Sequence, residues 1–123
     1  MYRISVAESF SSAHKLPQHQ GKCKNLHGHN WTVQLTLGAK SLNESGMVAD
    51  FSDVKSALKK VCDQFDHCFI NEIPPFDRES PTAENLAKTF YDLLSPQFDN
   101  DNVKIVSIKI AETANNVAEF QPD

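Results

Sequence analysis

Residues 27–38 read HGHNWTVQLTLG, and Trp31, Val33, Leu35 and Leu37 fall on alternate positions within them. A period of two marks a strand with one face buried and the other in water, and it predicts a strand over roughly residues 29–38. The odd positions continue backwards into His29 and His27, so both imidazoles extend the inward face. Upstream, residues 2–10 alternate in the same way, with Tyr2, Ile4, Val6 and Phe10 on one face and Glu8 as the only interruption. His14 shares their even parity. If the two strands pair as a hairpin, His14, His27 and His29 converge at one end of the sheet. Three neutral imidazoles with a fourth position open form the arrangement of a catalytic zinc. The alternative is a His-Gly-His turn with His14 at the surface, and a bulge in either strand would break the parity.

From this hairpin the reading extends in both directions. Lys15 to about Leu26 is polar and contains Pro and Gly, a loop. SLNESG (41–46) is a turn or short loop before an extended Met47–Ala49. Val54, Ala57, Leu58, Val61, Cys62 and Phe65 then make one helical stripe, with Ser52 or Asp50 as the expected N-cap. Pro74-Pro75 sits in a connector. A second helix is expected to open at Ser80-Pro81, with Pro in the first turn. Its stripe is Ala83, Leu86, Ala87, Phe90, Tyr91 and Leu94, and Pro96 is expected to end it. Val106, Ile108 and Ile110 form a third alternating face, and Val117–Phe120 reads as a short last strand. The order β-β-α-α-β-β indicates an α+β fold, an antiparallel sheet with both helices on one face.

The chain is the size of one ordinary domain, 123 residues with 12 basic and 16 acidic side chains and a net charge of −4. It has no basic run, which argues against a nucleic-acid partner. No run approaches the ~20 apolar residues of a spanning helix, which argues against a membrane one. The alternating N-terminus lacks the apolar stretch of a secretory signal, and the three cysteines (Cys23, Cys62, Cys68) cannot all pair with one another. The expected compartment is therefore the cytosol.

Four further positions carry chemistry. Cys23 precedes His27 in a Cys-x3-His-x-His spacing. It is either the fourth ligand of a closed structural zinc, beside the three histidines, or a thiolate next to the metal, favoured by the flanking Lys22 and Lys24. Asp66 and His67 follow the first helix. They form an acid–base relay only if the turn there is irregular; otherwise His67 is a helix C-terminal residue favoured by the dipole. Glu112 lies in phase with Val106, Ile108 and Ile110. A carboxylate there caps a backbone or waits for a ligand with two N–H donors. Cys62 belongs to the apolar stripe, Cys68 has no recognisable partner, and His19 and Glu84 have adequate structural readings.

FSSAHKL (10–16), CKNLHGHNW (23–31), GMVADFSDVK (46–55), FDHCFIN (65–71), PTAENLA (81–87) and AET (111–113) occur in that order. Together they resemble the 6-pyruvoyltetrahydropterin synthase family over nearly all of residues 2–120. The three residues between Cys23 and His27 look like its carboxy-forming subgroup. Phe69 and Ile70 stand where the family usually shows leucines, a swap that conserves apolar volume. The resemblance implies the tunnelling fold, a four-stranded antiparallel sheet with two helices on one face. It also implies a homo-oligomer, commonly a hexamer of two trimers, with active sites between chains. By position it makes His14, His27 and His29 ligands of Zn2+, Cys23 the proton acceptor, and Asp66-His67 its relay. Glu112, with Thr113, becomes the anchor of the pterin. The implied reaction converts 7,8-dihydroneopterin triphosphate to 6-carboxy-5,6,7,8-tetrahydropterin with release of acetaldehyde and triphosphate, in queuosine (7-deazapurine) biosynthesis. The sister reaction, triphosphate elimination to the pyruvoyl product, and a non-enzymatic domain with a structural zinc are the alternatives.

Overall fold

The computed structural model describes residues 1–17, 21 and 24–123. Four strands, β1 (Tyr2–His14), β2 (His27–Ala39), β3 (Val103–Thr113) and β4 (Asn116–Phe120), form one antiparallel sheet in the order β1-β2-β3-β4. β1 and β2 pair without a bulge from Tyr2 opposite Ala39 to His14 opposite His27. Both strands run further towards the histidines than the alternation alone predicts, because the backbone ladder continues through Ser11–Ala13, which has no apolar pattern to announce it. Val6, Phe10, Ser12 and His14 are buried on the inward face of β1, and Trp31, Val33, Leu35 and Leu37 on that of β2. Tyr2 departs from expectation: it lies at the far end of the sheet and is 51% exposed.

β3 breaks its own alternation. Thr36 pairs with Ser107 but Leu37 pairs with Ile105, so Val106 is an extra residue bulged out of the ladder. Ile105 takes the inward place that Val106 was expected to hold beside Ile108 and Ile110. Gly38 makes the bulge possible, since a Cβ there would meet Val106 Cγ2 at 2.8 Å. A second shift, between Ala111 and Thr113, leaves Glu112 without a partner on β4.

Helix α1 (Phe51–Phe65) is capped by Asp50, whose Oδ1 accepts from the Ser52 N–H at 2.8 Å and the Ser52 hydroxyl at 2.7 Å. Its stripe packs on β1 through Val54, Leu58, Val61, Cys62 and Phe65. Helix α2 (Ala83–Phe98) lies on β3 and β4, over the same face. Thr82 is its N-cap and accepts the Asn85 N–H at 3.1 Å, so Pro81 stands just outside the helix rather than in its first turn. Pro96 does not end α2. Only two residues follow it, so the missing N–H costs a single bond to the Asp92 carbonyl. The Asp99 N–H closes the last turn on Ser95 O, and Phe98 packs against the core.

Two features position the histidine end of the sheet. Phe10 stacks between Trp31 and Phe90, with centroids 5.9 Å away on each side, a rigid aromatic base beneath the imidazoles. Residues 66–69, after α1, line the outer edge of β1. The His67 N–H donates to Ser11 O at 2.6 Å, and the Ala13 N–H to Cys68 O at 3.0 Å. Among the described residues, no helix is long and apolar enough to cross a membrane.

Candidate metal centre and cleft

His14, 1% exposed, places its Nδ1 2.8 Å from Pro81 O, and His27 places its Nδ1 2.7 Å from Asn25 O. A carbonyl only accepts, so both Nδ1 atoms carry the proton and both Nε2 atoms present a lone pair. The three rings stand edge to face, with centroids 4.5 to 5.2 Å apart. Trp31 closes the floor, edge-on to His14 at 4.9 Å and to His29 at 5.2 Å. Its indole N–H donates to Ser12 O at 3.2 Å, which fixes the ring.

The unpaired Glu112 of β3 completes the group. Its Oε1 lies 3.2 Å from His14 Nε2, 2.7 Å from His29 Nε2 and 4.0 Å from His27 Nε2. None of the three Nε2 atoms is satisfied by a hydrogen bond. Burial pushes His14 and His29 below their ordinary pKa of 6.5, and the Glu112 carboxylate opposes this without reversing it. The Nε2 lone pairs of His14 and His27 and the Glu112 carboxylate thus converge as acceptors, an unfavourable grouping that a cation among them would relieve. A tetrahedral zinc with bonds of about 2.1 Å has ligand-to-ligand edges of about 3.4 Å. The 2.7, 3.2 and 4.0 Å separations bracket that edge. The residues fit a divalent cation, and imidazole donors suit zinc. Glu112 Oε1 stands beside the corner that the three imidazoles leave.

Asp66 and His67 form a different arrangement. His67 takes a left-handed backbone (φ 54°), which turns its side chain back onto Asp66. The Asp66 Oδ2 to His67 Nδ1 distance is 2.9 Å, while Asp66 Oδ1 accepts the Ser11 N–H at 2.9 Å. Adjacent residues on a regular helix would not meet. The Ser11 amide first, and His67 second, hold the Asp66 carboxyl below the usual carboxylate range. His67 is 82% exposed.

The remaining candidates separate cleanly. Cys62 is buried in the core, its thiol pushed up to about 12 chiefly by burial. The Cys68 thiol donates to Asp66 O at 3.1 Å. Cys23, with Lys22 and His19, lies outside the described residues. Thr113 accepts the Asn115 N–H at 3.3 Å in the β3–β4 turn. Beside that turn is an open cleft of about 540 Å³, with Glu84, Glu112, Asn115, Asn116 and Glu119 in its walls. The sequence reading missed Glu84 because an acid in a helix's first turn has an ordinary reason to be there. Only the packing of α2 on the β3–β4 hairpin carries it to the same cleft as Glu112.

An antiparallel sheet with two helices on one face, a cluster of three histidines and a glutamate at its end and an acidic cleft alongside defines a small α+β enzyme scaffold. The 6-pyruvoyl tetrahydropterin synthase family matches residues 3–123, and the chain belongs to that family. It is 36% identical to 6-carboxy-5,6,7,8-tetrahydropterin synthase of Aquifex aeolicus, over 83% of this chain and 77% of that protein. It is 35% identical to the Haemophilus influenzae protein of the same name, over 98% of this chain and 99% of the relative. Among solved structures, Caenorhabditis elegans 6-pyruvoyl tetrahydropterin synthase matches with a TM-score of 0.86 at 26% identity, covering 99% of this chain and 96% of that one.

Proposed function

We propose that this chain, as a single tunnelling-fold domain over residues 1–123, is a zinc-dependent lyase. It converts 7,8-dihydroneopterin triphosphate and water to 6-carboxy-5,6,7,8-tetrahydropterin, acetaldehyde and triphosphate, in the cytosol and for queuosine biosynthesis. The observation that carries this reading is the convergence of three bare Nε2 atoms and a carboxylate beside an acidic cleft. The names of the relatives at 35–36% identity support the carboxy-forming reaction.

His14, His27 and His29 would hold a zinc ion, which when bound would supply Lewis acidity towards the side-chain oxygens of the substrate and so acidify the neighbouring C–H. The residues handle the rest. Cys23 takes the proton as thiolate. Asp66 fixes the tautomer of His67 through Nδ1, so that Nε2 accepts and returns that proton. Glu112 receives two N–H groups from the 2-aminopyrimidinone edge of the pterin, with Thr113 beside it.

Incubating zinc-loaded protein with 7,8-dihydroneopterin triphosphate tests the assignment. Acetaldehyde and triphosphate appear together if it holds, and triphosphate without acetaldehyde means the pyruvoyl product instead. That second reading is favoured by the likeness to the worm enzyme. A structural zinc closed by Cys23 is disfavoured by Glu112, which faces the place the thiol would need.

The working unit is a homo-oligomer, a hexamer of two trimers with sites between chains. Residues 66–69 cover β1 only near Ser11–Ala13, and such uncovered edges invite strand pairing between copies. Light scattering is expected to show no stable 13.8 kDa monomer at micromolar concentration.

A further inference from the structure

We propose that Glu112 occupies two positions in turn: on the metal while the cleft is empty, and on the heterocycle once substrate enters. Binding thereby opens the cation to the substrate's own oxygens. The proposal rests on the metal reading above and adds a ligand exchange to it.

Three observations support the exchange. All the imidazole contacts of Glu112 fall on one oxygen, Oε1, at the fourth corner of the cluster. The same side chain lines the cleft, so it borders both places. Its freedom also differs from that of its neighbours. His14 and His27 are each locked through Nδ1 to a backbone carbonyl. Glu112 is 24% exposed and sits on a bulge that leaves its backbone unpaired with β4. Bulges next to active sites re-aim side chains, and this one serves a group with two destinations.

The two positions exclude each other. A bidentate pair with two parallel N–H donors turns both carboxylate oxygens to the edge of the heterocycle and so draws Oε1 away from the imidazole corner. When Glu112 leaves, the ion loses one negative ligand and polarises a substrate oxygen more strongly. A pterin with side-chain hydroxyls replaces the lost donor, and a pterin without them does not. Linkage makes this measurable, because two ligands that compete for one carboxylate weaken each other by the same factor.

The experiment is a zinc titration of the metal-stripped wild-type protein against a chromophoric chelator. It is run alone, with saturating unsubstituted pterin, and with dihydroneopterin. Unsubstituted pterin is expected to lower zinc affinity at least fivefold, and zinc to lower its affinity equally. Dihydroneopterin leaves zinc affinity unchanged or raises it. In Glu112→Gln, zinc binds roughly 10- to 100-fold more weakly and the antagonism disappears. Equal zinc affinity with and without unsubstituted pterin overturns the exchange, as does wild-type zinc affinity in Glu112→Gln. Undiminished zinc affinity in His29→Ala overturns the underlying metal reading instead, so the two failures are distinguishable.

Discussion

Two groups of histidine and carboxylate lie at the same end of this sheet, and they are wired oppositely. In the inward cluster, His14 and His27 give their Nδ1 protons to backbone carbonyls and aim Nε2 at one another and at Glu112. On the outer edge of β1, His67 gives its Nδ1 proton to a carboxylate that is itself held by the Ser11 amide. In the first group the Nε2 atoms are buried and lack hydrogen-bond partners, whereas the second group is exposed and its Nδ1 and carboxylate contacts are made. A backbone carbonyl fixes a ring without adding charge, so the inward lone pairs suit a cation. A carboxylate fixes the ring through a charged partner, and here it leaves the opposite nitrogen towards solvent. What the Nδ1 atom touches, more than the residue type, separates the two roles.

The sharpest way to break this contrast is His29→Ala. Removing one of four donors is expected to abolish turnover and weaken zinc binding roughly 10²- to 10³-fold, about a quarter of the ~10–16 kcal/mol of a four-ligand site. Full zinc occupancy in that variant would end the metal assignment.

Asp66→Asn and His67→Ala address the other group. Each is expected to retain zinc while losing about 10²- to 10⁴-fold in kcat, the range for a positioned acid–base group. The double variant is expected to lose little more than either single one, since the pair acts as a unit. Additive losses would show two independent residues.

Ser12→Ala tests the link between the regions. The Ser12 hydroxyl donates to Phe65 O and accepts the Cys68 N–H, tying the end of α1 to the strand that carries His14. The expected loss is about 1–3 kcal/mol in denaturant unfolding, with zinc affinity unchanged. A fall in zinc affinity would mean that the dyad's segment also shapes the cluster.

The smallest effect is a pH dependence confined to the inward group. His14 and His29 lie below their ordinary 6.5 because burial disfavours their charge. As pH falls below about 6.5, the unfolded chain takes up protons that the folded chain refuses. Their contribution is complete above that pH and is lost as pH drops through the folded-state values. Thermal melts of the metal-stripped protein should show Tm falling from about pH 7 to pH 5, and less so in His14→Ala. A Tm that rises on acidification would contradict neutral imidazoles.

The convergence of His14, His27 and His29 was legible in parity because β1 and β2 pair without a slip. β3 was less legible. Nothing in VKIVSIKIAET marks Val106 as the extra residue, and the one clue, a glycine at position 38, sits on the neighbouring strand. The same limit hid the destination of Glu112. Its inward phase could be read, but the shift beside β4 that turns it onto the imidazoles is a property of pairing, not of composition. The Asp66-His67 contact depends on a left-handed backbone at a non-glycine residue, which tertiary bonds to Ser11 impose and local propensity does not. Pro96 misled for a related reason: its cost depends on how much helix comes after it, and here little does.

Trp31 is the chain's only tryptophan and lies edge-on to two of the three inward imidazoles. Excited at the red edge of indole absorption, beyond that of Tyr2 and Tyr91, the protein therefore emits from a single fluorophore beside the site. Cobalt or copper ions arriving there quench it by contact and energy transfer, while events on the outer edge of β1 leave it largely dark to the observer. The fold contains its own optical probe, so occupancy of the inward cluster is readable in real time without labels.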